Sequence, residues 1–175
     1  PPDFGTLYSG RALDFDGVAD FLEIADNESL DFGTGDFTYS LWIKTTQSTH
    51  GALFNQWDYT LTSSQWATSS FESQLKTNKF YLRVSNGSGG VEVTSTTSVN
   101  NGIWYYATVV RDGTTLRLYI NGVQEDTGDV TGVDIPNSTR PLWVGKSDSS
   151  GSVYFDGKIT NVQIWDKAWS LSAIS

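Results

Sequence analysis

Residues 103–124, IWYYATVVRDGTTLRLYINGVQ, decide the fold. Two runs rich in β-branched and aromatic residues flank Asp112-Gly113, and the second run closes on Asn121-Gly122. These dipeptides supply the positive φ angles that two-residue hairpin turns need. In the second run Leu116, Leu118 and Ile120 share one face while Arg117 and Tyr119 take the other, the period of a strand and not of a helix.

The same signature extends outward along the chain. In residues 36–45 Phe37, Tyr39, Leu41 and Ile43 alternate on one face and Trp42 sits on the other, which predicts a strand covered on both sides. Further strands are predicted at 11–15, 20–24, 51–57, 71–75, 79–85, 91–95, 141–146 and 153–166. Helical periodicity is almost absent; only SLSAIS at the end of the chain can begin a helical turn, with Ser170 as its N-cap. Many short strands with closely spaced turns predict an all-β sandwich or jelly roll. No internal repeat or linker divides the chain, so residues 1–175 are read as one domain. It opens PPDFGTLYSG, with neither initiator methionine nor signal peptide, and is read as a module excised from a larger or processed protein.

Composition narrows the function. A chain of 175 residues can bury about 70% of its unfolded surface and needs no staples. The 7 Trp, 8 Tyr and 9 Phe come with no Cys, which excludes disulfides, thiolate metal sites and thiol nucleophiles. With 11 basic and 20 acidic residues the formal charge is -9. Such a surface repels nucleic acid and anionic lipid but leaves divalent cations and neutral ligands open. No run of about 18 apolar residues exists to span a membrane.

Five blocks, ALDFDGVADFLEI, GTGDFTYSLWIKT, GIWYYATVVRDGTTLRLYINGV, PLWVGKS and YFDGKITNVQIWDKAWSLSAI, occur in the order of a laminin-G-like domain. The resemblance is to the concanavalin A-like jelly-roll form common in bacterial secreted proteins, and it covers roughly residues 11 to 174. It implies two antiparallel sheets packed face to face with loops on one rim. It also implies a frequent calcium site and a role in binding carbohydrate or protein. Tyr105 and Tyr106 stand after Trp104 where the family often has two histidines, and residues 58–70 match no family block.

Three chemistries were weighed. Asp14, Asp16 and Asp20 lie within seven residues around Gly17, and Asp156 sits on a second Asp-Gly turn. Closely spaced aspartates on a turn suit calcium, which takes about six to eight oxygen ligands. Neighbouring first and last strands would bring Asp16 and Asp156 together. Asp-Gly is equally the commonest tight-turn dipeptide and needs no ion. Glycoside hydrolysis needs two carboxylates facing the scissile bond, and none of Glu23, Glu28, Glu72, Glu92 and Glu125 has a carboxylate partner at the required spacing on a strand. The chain is therefore expected not to be an enzyme.

The third chemistry is recognition of sugar rings. About a dozen residues separate Trp57 from the strand at Phe71, and long loops are often functional. Trp57, Asp58, Tyr59 and Trp66 would offer flat apolar faces beside hydrogen-bonding groups; alternatively Trp57, ending a strand, folds back to close the sandwich edge. Asn86 and Asp148, in Gly/Ser loops, are further candidates or ordinary turn residues. The expected function is a non-catalytic, lectin-like module, extracellular or on a cell surface, assisted by calcium and binding a glycan or polysaccharide. A protein partner on a cell surface is the alternative.

Overall fold

The computed structural model describes residues 11–57, 70–85, 87, 90–148 and 153–174. Its strands are β1 (Leu13–Asp16), β2 (Leu22–Ile24), β3 (Phe37–Lys44), β4 (Gly51–Asn55), β5 (Phe71–Lys76), β6 (Lys79–Ser85) and β7 (Gly90–Ser98). They continue with β8 (Trp104–Asp112), β9 (Thr115–Ile120), β10 (Val123–Asp129), β11 (Leu142–Val144), β12 (Lys146–Ser147), β13 (Val153–Tyr154) and β14 (Asp156–Trp165). A single 3-10 turn, Glu28–Leu30, and a terminal helix α1, Leu171–Ile174, are the helical elements described.

Two six-stranded antiparallel sheets form a jelly-roll sandwich. The first runs β1-β14-β3-β8-β9-β10 and the second β2-β11-β4-β5-β6-β7. At the centre of the first, Phe37–Lys44 pairs with Trp104–Arg111 residue for residue without a bulge. The hairpin turn after β8 sits one residue later than expected, because Asp112 pairs with Thr115 and Gly113 alone takes positive φ, 58°. Asn121 and Gly122 take positive φ as predicted, 51° and 78°.

Alternation then builds the core. Leu41 and Ile43 of β3, Leu75 of β5, Phe80 and Leu82 of β6, Val109 of β8 and Leu118 of β9 all meet between the sheets. The ring of Phe54 stacks between Tyr39 (4.5 Å) and Phe71 (4.9 Å), tying the two sheets through aromatic contact. Trp42 does lie on the opposite face of β3, where it stacks on Tyr106 at 5.0 Å. Part of that outer face is covered by the end of the chain. Thr38 Oγ1 donates to Lys167 O and accepts from Trp169 N–H, and Ile174 packs on Val110 and Tyr119.

The predicted strand 153–166 divides into β13 and β14, because Phe155 turns wholly into the core. Its N–H donates to Gly145 O and its carbonyl accepts from Gly17 N–H. The two edges of the sandwich differ. At one edge Glu125 Oε2 accepts from the N–H groups of Thr96 and Thr97, and Asp126 Oδ2 accepts from Thr94 N–H, stitching β10 to β7. At the other, β1 and β2 each have one strand neighbour.

Candidate functional site

The outer face of the second sheet gathers most of the domain's unusual chemistry. Because side chains alternate along a strand, Glu72 and Gln74 of β5, Tyr81 and Arg83 of β6, Glu92 of β7 and Trp143 of β11 all point away from the core. The β5–β6 turn, Thr77–Asn78 with φ of 52° and 67°, sets the register that places Glu72 opposite Arg83. Arg83 in turn lies opposite Glu92, so three charged residues form one row across three strands.

Arg83 serves both carboxylates. Its Nε donates to Glu92 Oε1 at 2.8 Å, and its Nη1 lies 3.6 Å from Glu72 Oε1. The guanidinium also sits 5.3 Å from the Trp57 ring centre and 5.8 Å from that of Tyr81. The Glu72 side chain is only 3% exposed, and its second oxygen accepts from Gln74 Nε2. Burial pushes its carboxyl up to about 7, with Arg83 and Lys76 offsetting part of the effect. For Glu92 burial is the largest single influence and acts upward, but the bonds from Arg83 and Tyr81 together with the charges of Arg83 and Lys76 outweigh it, and the carboxyl lies below its ordinary value.

At the β2–β11 end of this face stands a half-buried indole. Trp143 Nε1 donates to Glu23 Oε2 at 2.8 Å, and Phe21 meets the ring edge-on at 6.5 Å. The Lys146 ammonium lies 4.5 Å from the Trp143 centre and 4.2 Å from that of Phe21. The Arg140 guanidinium is 5.4 Å from the indole and is ion-paired with Asp148. Gln56 fixes this corner from below, donating to Arg140 O and Asp26 Oδ1. The result is a fixed aromatic surface ringed by donors and acceptors.

The predicted sugar-contact residues are thus placed unevenly. Asp148 belongs to the Trp143 corner. Trp57 is 1% exposed and its indole packs against the Arg83 guanidinium. Asp58, Tyr59, Trp66 and Asn86 lie outside the described residues.

The aspartates proposed for calcium do converge in part: Asp16 and Asp156 are direct cross-strand partners. Some of the carboxylate oxygens here are engaged by the protein. Asp16 Oδ1 accepts from the N–H groups of Val18, Ala19 and Asp20 at 2.8, 2.9 and 3.2 Å. Those bonds hold its carboxyl below the ordinary value. Asp20 Oδ2 accepts from Asp16 N–H, and Asp14 pairs with Lys158. Gly17 takes φ +72° here, and a Cβ on it would stand 2.9 Å from Asp156 Cβ. Among the described residues no three acidic or histidine side chains form a set able to hold a metal ion. As arranged, this is a carboxylate-capped turn, with Asp16 accepting three backbone N–H groups. The melting temperature is expected to fall in Asp16→Ala, and comparing EDTA with millimolar calcium tests the ion: a calcium-dependent rise would support it and an unchanged value would remove it.

Residues 16–175 match the Laminin_G_3 family, described as the concanavalin A-like lectin/glucanases superfamily. The chain belongs to this family. The laminin-G-like domain is similar in structure to the binding domain of Paraclostridial mosquitocidal protein 1, with 17% identity, a TM-score of 0.72, and 94% of this chain and 44% of that one covered. It is also similar to domain 4 of AbnA, an extracellular GH43 arabinanase of Geobacillus stearothermophilus solved with arabinotriose, at 18% identity, TM-score 0.68, and 95% and 75% coverage. A third is the heptameric SAP-like pentraxin of Limulus polyphemus, at 20% identity, TM-score 0.62, and 92% and 78% coverage. The domain spans less than half the length of the first of these chains. No curated protein sequence matches it.

Proposed function

We propose that the domain is a non-catalytic carbohydrate-binding module of a secreted or cell-surface protein, with Trp143 as its platform. The observation that carries this reading is the half-buried Trp143 indole, fixed by Glu23 and Phe21 and bordered by Arg140, Lys146 and Asp148. A pyranose or furanose ring has apolar C–H faces and hydroxyl edges, and this corner offers the complement of both. Arabinotriose in the complex of the structurally similar arabinanase domain supports the ligand class. No helix of the described residues is long and apolar enough to cross a membrane.

The reading is non-catalytic because of the Arg83 row. Hydrolysis of a glycosidic bond uses two carboxylates facing the scissile bond, about 5 to 10 Å apart. Here the guanidinium of Arg83 lies between Glu72 and Glu92, and Glu72 is buried.

A glycan and polysaccharide array, run in calcium and again in EDTA, tests the proposal. Trp143→Ala is expected to weaken binding by about ten-fold or more, the loss of roughly 1.5–2 kcal/mol of ring burial. Its melting temperature should fall only modestly, because the half-buried indole lies outside the core between the sheets. Unaltered binding in Trp143→Ala would remove the platform. Silence on every glycan would favour a protein-contacting module, for which the 41% exposed Trp165 and 65% exposed Leu171 at the other end of the chain are the specific support.

A further inference from the structure

We propose that the open edge between β1 and β2 is a docking slot for an extended segment of a partner polypeptide. The segment carries aliphatic side chains at alternate positions and a lysine or arginine at the end that meets Asp16, Asp20 and Asp156.

The argument begins with residues that face the core yet are not covered. Leu13 shares its face with Phe15, which is 4% exposed, but is itself 51% exposed. Leu22 and Ile24 pair with Val144 and Leu142, exposed 2% and 1%, and yet are exposed 44% and 48%. The inner faces of both edge strands are therefore half bare. Between the strands lies a slot of about 240 Å³, lined among others by Arg11, Leu13, Leu22, Val144, Ile159 and Val162.

The backbone of this edge is equally open. β1 is bonded to β14 and β2 to β11, so each leaves one row of N–H and C=O groups without a strand partner among the described residues. An added strand satisfies such a row and sends every second side chain into the slot. The opposite edge refuses this addition, since Glu125 and Asp126 already occupy the β7 amides.

Charge selects the occupant. Asp14 is offset by Lys158, but Asp16, Asp20 and Asp156 have no ion-pair partner among the described residues. A second copy of the chain would set Asp14 and Asp16 against their own counterparts, and like charges across a strand pair are destabilising. The formal charge of -9 adds to that repulsion. A foreign segment with a basic end meets neither obstacle.

The test uses the full chain, isotope-labelled, titrated with a blocked peptide of alternating valine and threonine that ends in two lysines. Amide shifts are expected at Leu13–Asp16 and Leu22–Ile24. Binding should fall about ten-fold or more in Leu13→Asp and in Leu22→Asp, each with its amide pattern otherwise retained. It should fall comparably when glutamates replace the lysines, or when the valines are made consecutive. No shift at millimolar peptide, or equal binding by the variants or by the glutamate peptide, overturns the proposal. So do contacts from residues 1–10 to the Leu13 and Leu22 methyls in the free chain, or a dimer formed through these amides.

Discussion

Replacing Arg83 with methionine is expected to cost about 3 kcal/mol of stability at pH 8 and far less at pH 5. The difference lies in Glu72. Its carboxyl is buried at 3% side-chain exposure and titrates near 7 in the folded domain. At pH 5 it is protonated, and loss of Arg83 leaves a neutral acid bonded to Gln74. At pH 8 it is ionised, and the guanidinium is its nearest compensating charge; Lys76 helps, while Glu92 repels. A folded-state value raised above the ordinary 4.5 means that stability is fully present below pH 4.5 and is lost as pH rises towards 7. At about 1.4 kcal/mol per unit the loss is roughly 3 kcal/mol. Glu72→Gln is expected to abolish that fall and to rescue Arg83→Met at pH 8. Asp16 and Glu92, whose carboxyls lie below their ordinary values, bring the opposite dependence, a loss of stability that sets in only as pH falls through those ordinary values. Urea denaturation of both single variants and the double variant at pH 5 and 8 decides the matter. An equal cost of Arg83→Met at both values would show that the guanidinium acts by packing on Trp57 and Tyr81.

This row was within reach of sequence reasoning, although no motif marked it. The sequence predicts strands at 71–75 and 79–85, and the short TN connection between them fixes a two-residue turn. Counting outward from that turn pairs Lys76 with Lys79 and Glu72 with Arg83. What sequence could not supply was burial of the outer face, and burial is what turns a surface ion pair into a titrating group. The jelly roll itself was legible because turn residues, alternation and block order all agreed. Asp16 shows the opposite limit. Its nearness to Asp156 followed from first and last strands being neighbours. Whether its carboxylate met an ion or three amides depended on backbone N–H directions that no residue pattern reveals. Trp57 is similar: a large ring ending a strand serves equally well at a rim or under a guanidinium. Trp143 sits in a short strand between Leu142 and Val144, both of which are buried. The alternation of that strand places the middle residue outward.

Arg111→Met is expected to cost about 3 kcal/mol at neutral pH, the loss of two charge-assisted hydrogen bonds to buried carbonyls. Arg111, one residue before the end of β8, lies opposite Phe37 and is 2% exposed. Its Nη1 donates to Gly33 O at 2.8 Å and its Nη2 to Val133 O at 2.6 Å. One planar group thus joins the loop after the 3-10 turn to the loop after β10, beside the bridge in which Ile135 N–H donates to the same Gly33 carbonyl. Methionine fills the volume but donates nothing, so Val133 O loses its guanidinium partner in a place water reaches poorly. Arg111→Lys should recover only part of the loss, because an ammonium lacks the planar fork that reaches both carbonyls. Urea denaturation measures the cost, and hydrogen exchange at Ile135 should quicken in proportion if the staple holds the two loops together. A methionine variant within about 1 kcal/mol of wild type, with Ile135 still protected, would assign the junction to the packing of Phe32, Val130, Val133 and Ile135.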